Sequence, residues 1–123
     1  MKPGKTGIAR IKDAFVYSLK GLKYAWKNEA DFRQECILAI VLMPTALIIA
    51  ESIVQKILLI IPVFMVLIVE LINSAIEAVV DRFGDELHEL SGAAKDIGSA
   101  AVTVSLILLG IIWLLVLVDV IWV

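Results

Sequence analysis

The stretch Ile57-Leu-Leu-Ile-Ile-Pro-Val-Phe-Met-Val-Leu-Ile-Val-Glu70-Leu-Ile-Asn73-Ser74-Ala-Ile-Glu77-Ala-Val-Val80 decides how this chain folds. It exceeds the roughly 20 residues that an α-helix needs to cross a hydrocarbon core about 30 Å thick. Glu70, Asn73, Ser74 and Glu77 interrupt it, and Asp81 follows. The spacing i, i+3, i+4, i+7 and i+11 puts these five on one helical face. A charged residue at mid-span costs roughly 2.5–3.5 kcal/mol on insertion scales, against gains of about 0.3–0.6 for each Leu, Ile, Val or Phe. Two glutamates consume most of what the apolar run supplies, so the stripe must face a bundle interior or a wet cavity.

Such a stripe has two readings. Asn73 and Ser74 suit hydrogen-bonded glue between helices. Ionisable residues inside a membrane are by default functional, and two carboxylates two turns apart serve gluing poorly, which favours a site. At 1.5 Å per residue, Glu70 lies about 10 Å deeper than Glu77. The shallow carboxylate suits a hard metal ion, and the deeper one suits proton abstraction from a molecule dissolved in lipid.

Working outward, the spacing predicts two further spans, at 36–50 and 98–121, beside the one at 57–80. The first contains Pro44, which spans tolerate, and residues such as Phe32 extend it. The last is broken only by Asp119, with Trp113 and Trp122 toward its outer part. Glu51–Lys56 makes a turn. In residues 1–35, Ile8, Ile11, Phe15, Leu19, Leu22 and Trp26 recur at steps of three and four, away from Asp13, Lys20 and Lys27. This is a basic amphipathic helix lying on a membrane surface, anchored by Trp26. No apolar signal region follows the basic start. The expected fold is therefore all-α and membrane-embedded, one domain over 1–123, with a surface helix and three transmembrane helices.

Eight of the 11 Lys and Arg precede the first span, one lies in the first loop, two lie in the second loop, and none follows the third span. The positive-inside rule then predicts a cytoplasmic N-terminus and a cytoplasmic loop from Asp81 to Asp96. In and after that loop, His88, Ser91, Lys95 and Ser99 recur at i, i+3, i+7 and i+11, accompanied by Glu86, Glu89 and Asp96. The stripe is either a solvated face or a set of groups complementary to the carboxylates, and Lys95 is either a ligand or one end of a salt bridge.

Composition closes other routes. Hydrophobic residues make up 61% of the 123 residues and charged ones 20%, with a net charge of −2. A soluble globule of this size cannot bury that much apolar surface, and a nucleic-acid binder would carry a basic footprint. One Cys36 and one His88 exclude an intrachain disulfide and a Cys/His zinc site. Gly4-Lys5-Thr6 echoes the end of a P-loop but lacks its first glycine and a preceding strand. Asp81-Arg-Phe-Gly84 is not the protein-kinase DFG motif.

Several blocks resemble the prokaryotic diacylglycerol kinase family: Lys20-Gly21-Leu22, Ala25-Trp26, Asn28-Glu29-Ala30, Phe32-Arg33-Gln34-Glu35, Glu70-Leu-Ile-Asn-Ser-Ala-Ile-Glu-Ala-Val-Val-Asp-Arg82 and His88-Glu-Leu-Ser-Gly-Ala-Ala-Lys-Asp96. The central E-x-x-N-S-A-x-E-x-x-x-D pattern is specific, and the match covers nearly the whole chain. The resemblance implies a homotrimeric inner-membrane enzyme that moves the γ-phosphoryl of ATP onto the hydroxyl of diacylglycerol, with its active site between subunits at the cytoplasmic boundary. Carried onto this chain, it implies Glu70 as the general base with Asn73 beside it, and Glu29 and Glu77 as the carboxylates that hold Mg2+. It further implies that Arg10, Tyr17, Glu29, Glu77, Glu86, His88, Lys95 and Asp96 bind the nucleotide. Arg10, Glu35, Glu70, Ser99 and Trp113 are implied to meet the lipid. The Ile48–Glu51 stretch lacks an aromatic residue that some relatives carry.

Two alternatives stand beside this reading. An undecaprenol kinase would share base, metal and nucleotide groups, although the Phe32–Glu35 and Glu86–Leu90 blocks look closer to the diacylglycerol type. A small proton- or cation-coupled transporter would also use intramembrane glutamates, but transporters show internal repeats and midplane sites. Here no repeat is seen, and the polar groups gather toward one side. Three spans from one copy make a thin bundle around Glu70 and Glu77, which makes self-association expected.

Overall fold

The computed structural model describes residues 6–83 and 88–122, and all regular structure among them is helical. The elements in chain order are α1 (Gly7–Asn28), α2 (Ala30–Ile49), α3 (Ile53–Asp81) and α4 (Glu89–Trp122). Helices α2, α3 and α4 are each long and apolar enough to cross a membrane. α3 packs mainly on α4 and then on α2, while α1 touches α2.

The amphipathic segment is helical as expected, and Ala25 is its one buried residue among those described. Ile8, Ile11, Phe15, Leu19, Leu22 and Trp26 all remain exposed within the single chain. A face of this kind, lined by Lys on its flanks, suits the boundary between lipid and water.

α1 gives way to α2 at one residue. Glu29 is extended, with φ −116° and ψ 103°, and it terminates one helix and starts the next. Arg33 fixes the corner by donating from Nη1 to the carbonyls of Trp26 at 2.8 Å and Lys27 at 3.2 Å. A guanidinium there satisfies carbonyls that the end of α1 leaves without helical donors, and it complements the helix dipole. The first spanning helix therefore starts at Ala30, so that Phe32 and its neighbours extend the apolar stretch from 36 as expected. Its polar first turns are not a loop because Arg33 caps α1 and Phe32 and Glu35 are buried.

The turn between α2 and α3 is also tighter than expected. Ser52 accepts the Gln55 N–H at 3.1 Å, and Gln55 Oε1 accepts the Glu51 N–H at 2.8 Å. This reciprocal cap starts α3 at Ile53. Below it, Ala46, Leu59, Val63, Trp113 and Val116 form the apolar core. Pro62 has no N–H for the carbonyl four residues earlier. One residue along, the Trp113 indole donates from α4 to the carbonyl of Leu59 at 3.0 Å. At this end of the bundle Gln55 Nε2 also donates to Asp119 Oδ2 at 2.8 Å, joining α3 to α4.

Candidate functional site

The polar face of α3 turns inward. Glu70 is 2% exposed and Asn73 7%, although both lie in a span with exposed Ile68 and Ile72 on other faces. The Asn73 side-chain amide donates to Glu70 Oε2 at 3.3 Å and to Glu77 Oε1 at 3.2 Å. One NH2 group thus ties the deep carboxylate to the shallow one, using the i, i+3 and i, i+4 neighbour geometry of a helix.

A cleft of about 300 Å³ opens onto these groups. α3 contributes Glu70, Asn73 and Glu77, α2 contributes Asp31, Gln34 and Glu35, and α4 contributes Ser99, Val102, Thr103 and Leu106. Glu35 is 9% exposed, and its carboxyl lies beside that of Glu70 across the α2–α3 contact. Its Oε2 is buried without a hydrogen-bond partner. A buried acceptor left unpaired is costly, so the cleft is poised for a donor.

Glu29 stands at the α1–α2 corner, outside the cleft lining but within electrostatic reach of Glu77. Its carboxyl is held above the ordinary range, first by partial burial and then by the negative charges of Glu77, Asp31 and Asp81. Negative charge therefore gathers at this corner, with Asp81 paired to Lys95. No group of three or more His, Cys, Asp or Glu among the described residues is arranged to hold a metal by itself.

Of the residues singled out in the sequence, Glu35, Glu70, Asn73, Glu77 and Ser99 line one cleft, with Glu29 within electrostatic reach. Lys95 bonds to Asp81 at 2.9 Å in an exposed pair. His88 precedes α4, where its Nδ1 accepts the Leu90 N–H at 3.1 Å. Arg10 and Tyr17 are exposed on α1 and Asp96 is exposed on α4, none of them lining the cleft. Tyr17 carries the Lys20 ammonium 5.6 Å from its ring centre. Glu86 lies outside the described residues. Trp113 sits 8% exposed in the core at the far end, with its indole committed to Leu59.

Asp31, Gln34 and Thr103 join the cleft beyond the residues that the sequence marks. The signal was present: Asp31, Gln34 and Glu35 follow i, i+3, i+4, and Ser99, Val102, Thr103 and Leu106 follow i, i+3, i+4, i+7. Each set is one helical face.

Three membrane-crossing helices, a basic amphipathic helix beside them and a carboxylate-lined cleft within the bundle define a multi-pass membrane protein with an ionisable internal site. The family model for prokaryotic diacylglycerol kinase matches residues 16–117. The chain is 50% identical over 117 residues to the diacylglycerol kinase of Escherichia coli K12, covering 95% of this chain and 96% of that one. It is 50% identical over 108 residues to that of Haemophilus influenzae, covering 88% and 92%. With that of Pseudomonas aeruginosa it shares 46% over 114 residues, 93% of each. The chain belongs to the prokaryotic diacylglycerol kinase family.

Proposed function

We propose that this protein transfers the γ-phosphoryl of ATP to the hydroxyl of diacylglycerol, giving phosphatidic acid, at the cytoplasmic face of a bacterial inner membrane. The observation that carries this is Glu70, a carboxylate buried in a span yet opening into a cleft and held by Asn73. A lipid hydroxyl can reach that depth and water-borne ATP can reach the mouth. The reacting groups then meet near the boundary. The distribution of Lys and Arg supports a cytoplasmic N-terminus.

Glu70 takes the proton of the lipid hydroxyl as the new O–P bond forms and the bond from the γ-phosphorus to the bridging oxygen of ADP breaks. Phosphoryl transfer asks mainly for positioning and charge stabilisation, and the Asn73 amide supplies the positioning by fixing the base against Glu77. Glu29 and Glu77 are the groups that would hold Mg2+. Their fit rests on the donor chemistry, two carboxylates close enough to feel one another's charge, and on the habit of Mg2+ to take one or two carboxylates and complete its shell with phosphates and water. When bound, the ion would offset charge on the phosphate oxygens. Lys95 would exchange Asp81 for a phosphate, since an exposed pair holds its partner weakly. Arg10, Tyr17, Glu86, His88 and Asp96 complete the proposed nucleotide set, and Arg10, Glu35 and Ser99 the lipid set. A homotrimer would close the thin bundle around these groups.

The test is lipid phosphorylation by purified protein in mixed micelles with Mg2+ and γ-labelled ATP, with diacylglycerol and undecaprenol supplied separately. Label in phosphatidic acid supports the proposal. Label only in undecaprenyl phosphate keeps the chemistry and changes the acceptor, and no lipid label with either contradicts it.

A further inference from the structure

Glycine weakens a helix interior relative to alanine, so Gly98, buried in α4 against α3, calls for a reason. The backbone there supplies one. A Cβ on residue 98 would overlap Asn73 Oδ1 and come within 3.3 Å of Asn73 Cγ. The bare Cα of Gly98 therefore occupies the space beside the Asn73 carbonyl oxygen, which is buried and has no conventional hydrogen-bond partner. A Cα–H directed at that oxygen is the weak contact seen where helices approach closely. The other end of the same amide holds Glu70 and Glu77.

We propose that Gly98 is a positioning residue that acts through Asn73. The close approach of α4 fixes which way the Asn73 amide points, and so keeps the NH2 group on both carboxylates at once. This rests on the lipid-kinase reading above, since it assigns a consequence for that reaction. The obstruction met by a Cβ is the end of a side chain, not backbone. A larger residue at 98 is therefore accommodated by turning Asn73 away, and the fold survives while the clamp on Glu70 and Glu77 is lost.

The experiment compares wild type, G98A, N73A and the double variant as full chains, with G110A as control, because Gly110 lies in the same helix with open space around it. Wild-type turnover on diacylglycerol is measured first, and its absence would count against the lipid-kinase reading alone. G98A is expected to lower kcat about 10- to 100-fold, the scale of an ångström-level misplacement. The KM for lipid should stay within about twofold, and the unfolding midpoint should fall no further in G98A than in N73A, since both lose the same amide bonds. Adding G98A to N73A should cost no more than about twofold further, and G110A should match wild type. Independently of activity, the Asn73 side-chain NH2 resonance in 15N-labelled protein should move in G98A and stay in G110A. An unmoved resonance, unchanged kcat in G98A, or an unfolding midpoint lower in G98A than in N73A would overturn the proposal.

Discussion

Glu70 and Glu77 stand two turns apart on α3 and are joined through a single group, the Asn73 amide, at 3.3 Å and 3.2 Å. The deep carboxylate and the shallow one therefore form one unit. Disturbing the link should affect both the proton-accepting and the metal-holding ends of the proposed site.

The metal end gives the first prediction. E29Q and E77Q should each raise the Mg2+ concentration needed for half-maximal activity by at least the roughly 10- to 100-fold that losing even an outer-sphere partner costs. Titration of activity against Mg2+ at saturating ATP and lipid checks this. An unchanged requirement in both variants would remove these residues from the metal site.

The second prediction concerns pH. Burial and the charges of Glu77, Asp31 and Asp81 raise the Glu29 carboxyl above its ordinary value of 4.5. The folded state then binds that proton more tightly than the unfolded state, so ionised Glu29 is destabilising, and stability is lost as pH rises from 4.5 through the folded-state value. In metal-free protein the unfolding midpoint of E29Q should exceed that of wild type by a margin that grows over this window. Added Mg2+ should shrink the margin. Thermal unfolding in detergent across pH, with and without the ion, measures it.

Lys95 supplies the third. D81N should leave the unfolding midpoint nearly unchanged, since the pair it breaks is exposed. K95M should raise the KM for ATP about 10- to 100-fold, the range that losing one charged hydrogen bond implies. Steady-state kinetics at saturating lipid separates the two variants. Equal effects of D81N and K95M on KM would mean that the pair acts as a unit.

Trp113 carries the fourth. Its indole donates to the Leu59 carbonyl in the core. W113F should therefore lower stability by about 0.5–2 kcal/mol while the KM for lipid stays within about twofold. A raised lipid KM at unchanged stability would instead support the lipid contact that the family resemblance implies.

Much of this molecule was legible in its residues, for identifiable reasons. The carboxylate stripe on α3 could be read because insertion cost forces Glu70 and Glu77 inward, and the amphipathic period of α1 because a surface helix must segregate its faces. The start of α2 was less legible. Asp31, Arg33 and Glu35 look like loop polarity until Arg33 is seen capping α1 and Glu35 facing Glu70. Helix α3 alone does not say which faces of α2 and α4 oppose it, so the sequence does not mark Asp31, Gln34 and Thr103 as lining the same cleft. Trp113 resembles an interfacial aromatic by position, and only the carbonyl near Pro62 explains its burial. Gly98 carries no local signal, because its role exists only across the contact with Asn73.

The central claim is that Glu70 accepts the proton of a lipid hydroxyl. E70Q keeps the size and the hydrogen-bonding oxygen while removing the charge. Transfer of label from γ-labelled ATP to diacylglycerol by E70Q, measured beside ATP binding to the same preparation, tests it most directly. The account predicts turnover reduced by at least the roughly 10²- to 10⁴-fold that a general base contributes, with ATP affinity within about threefold of wild type. Turnover near the wild-type rate would contradict it.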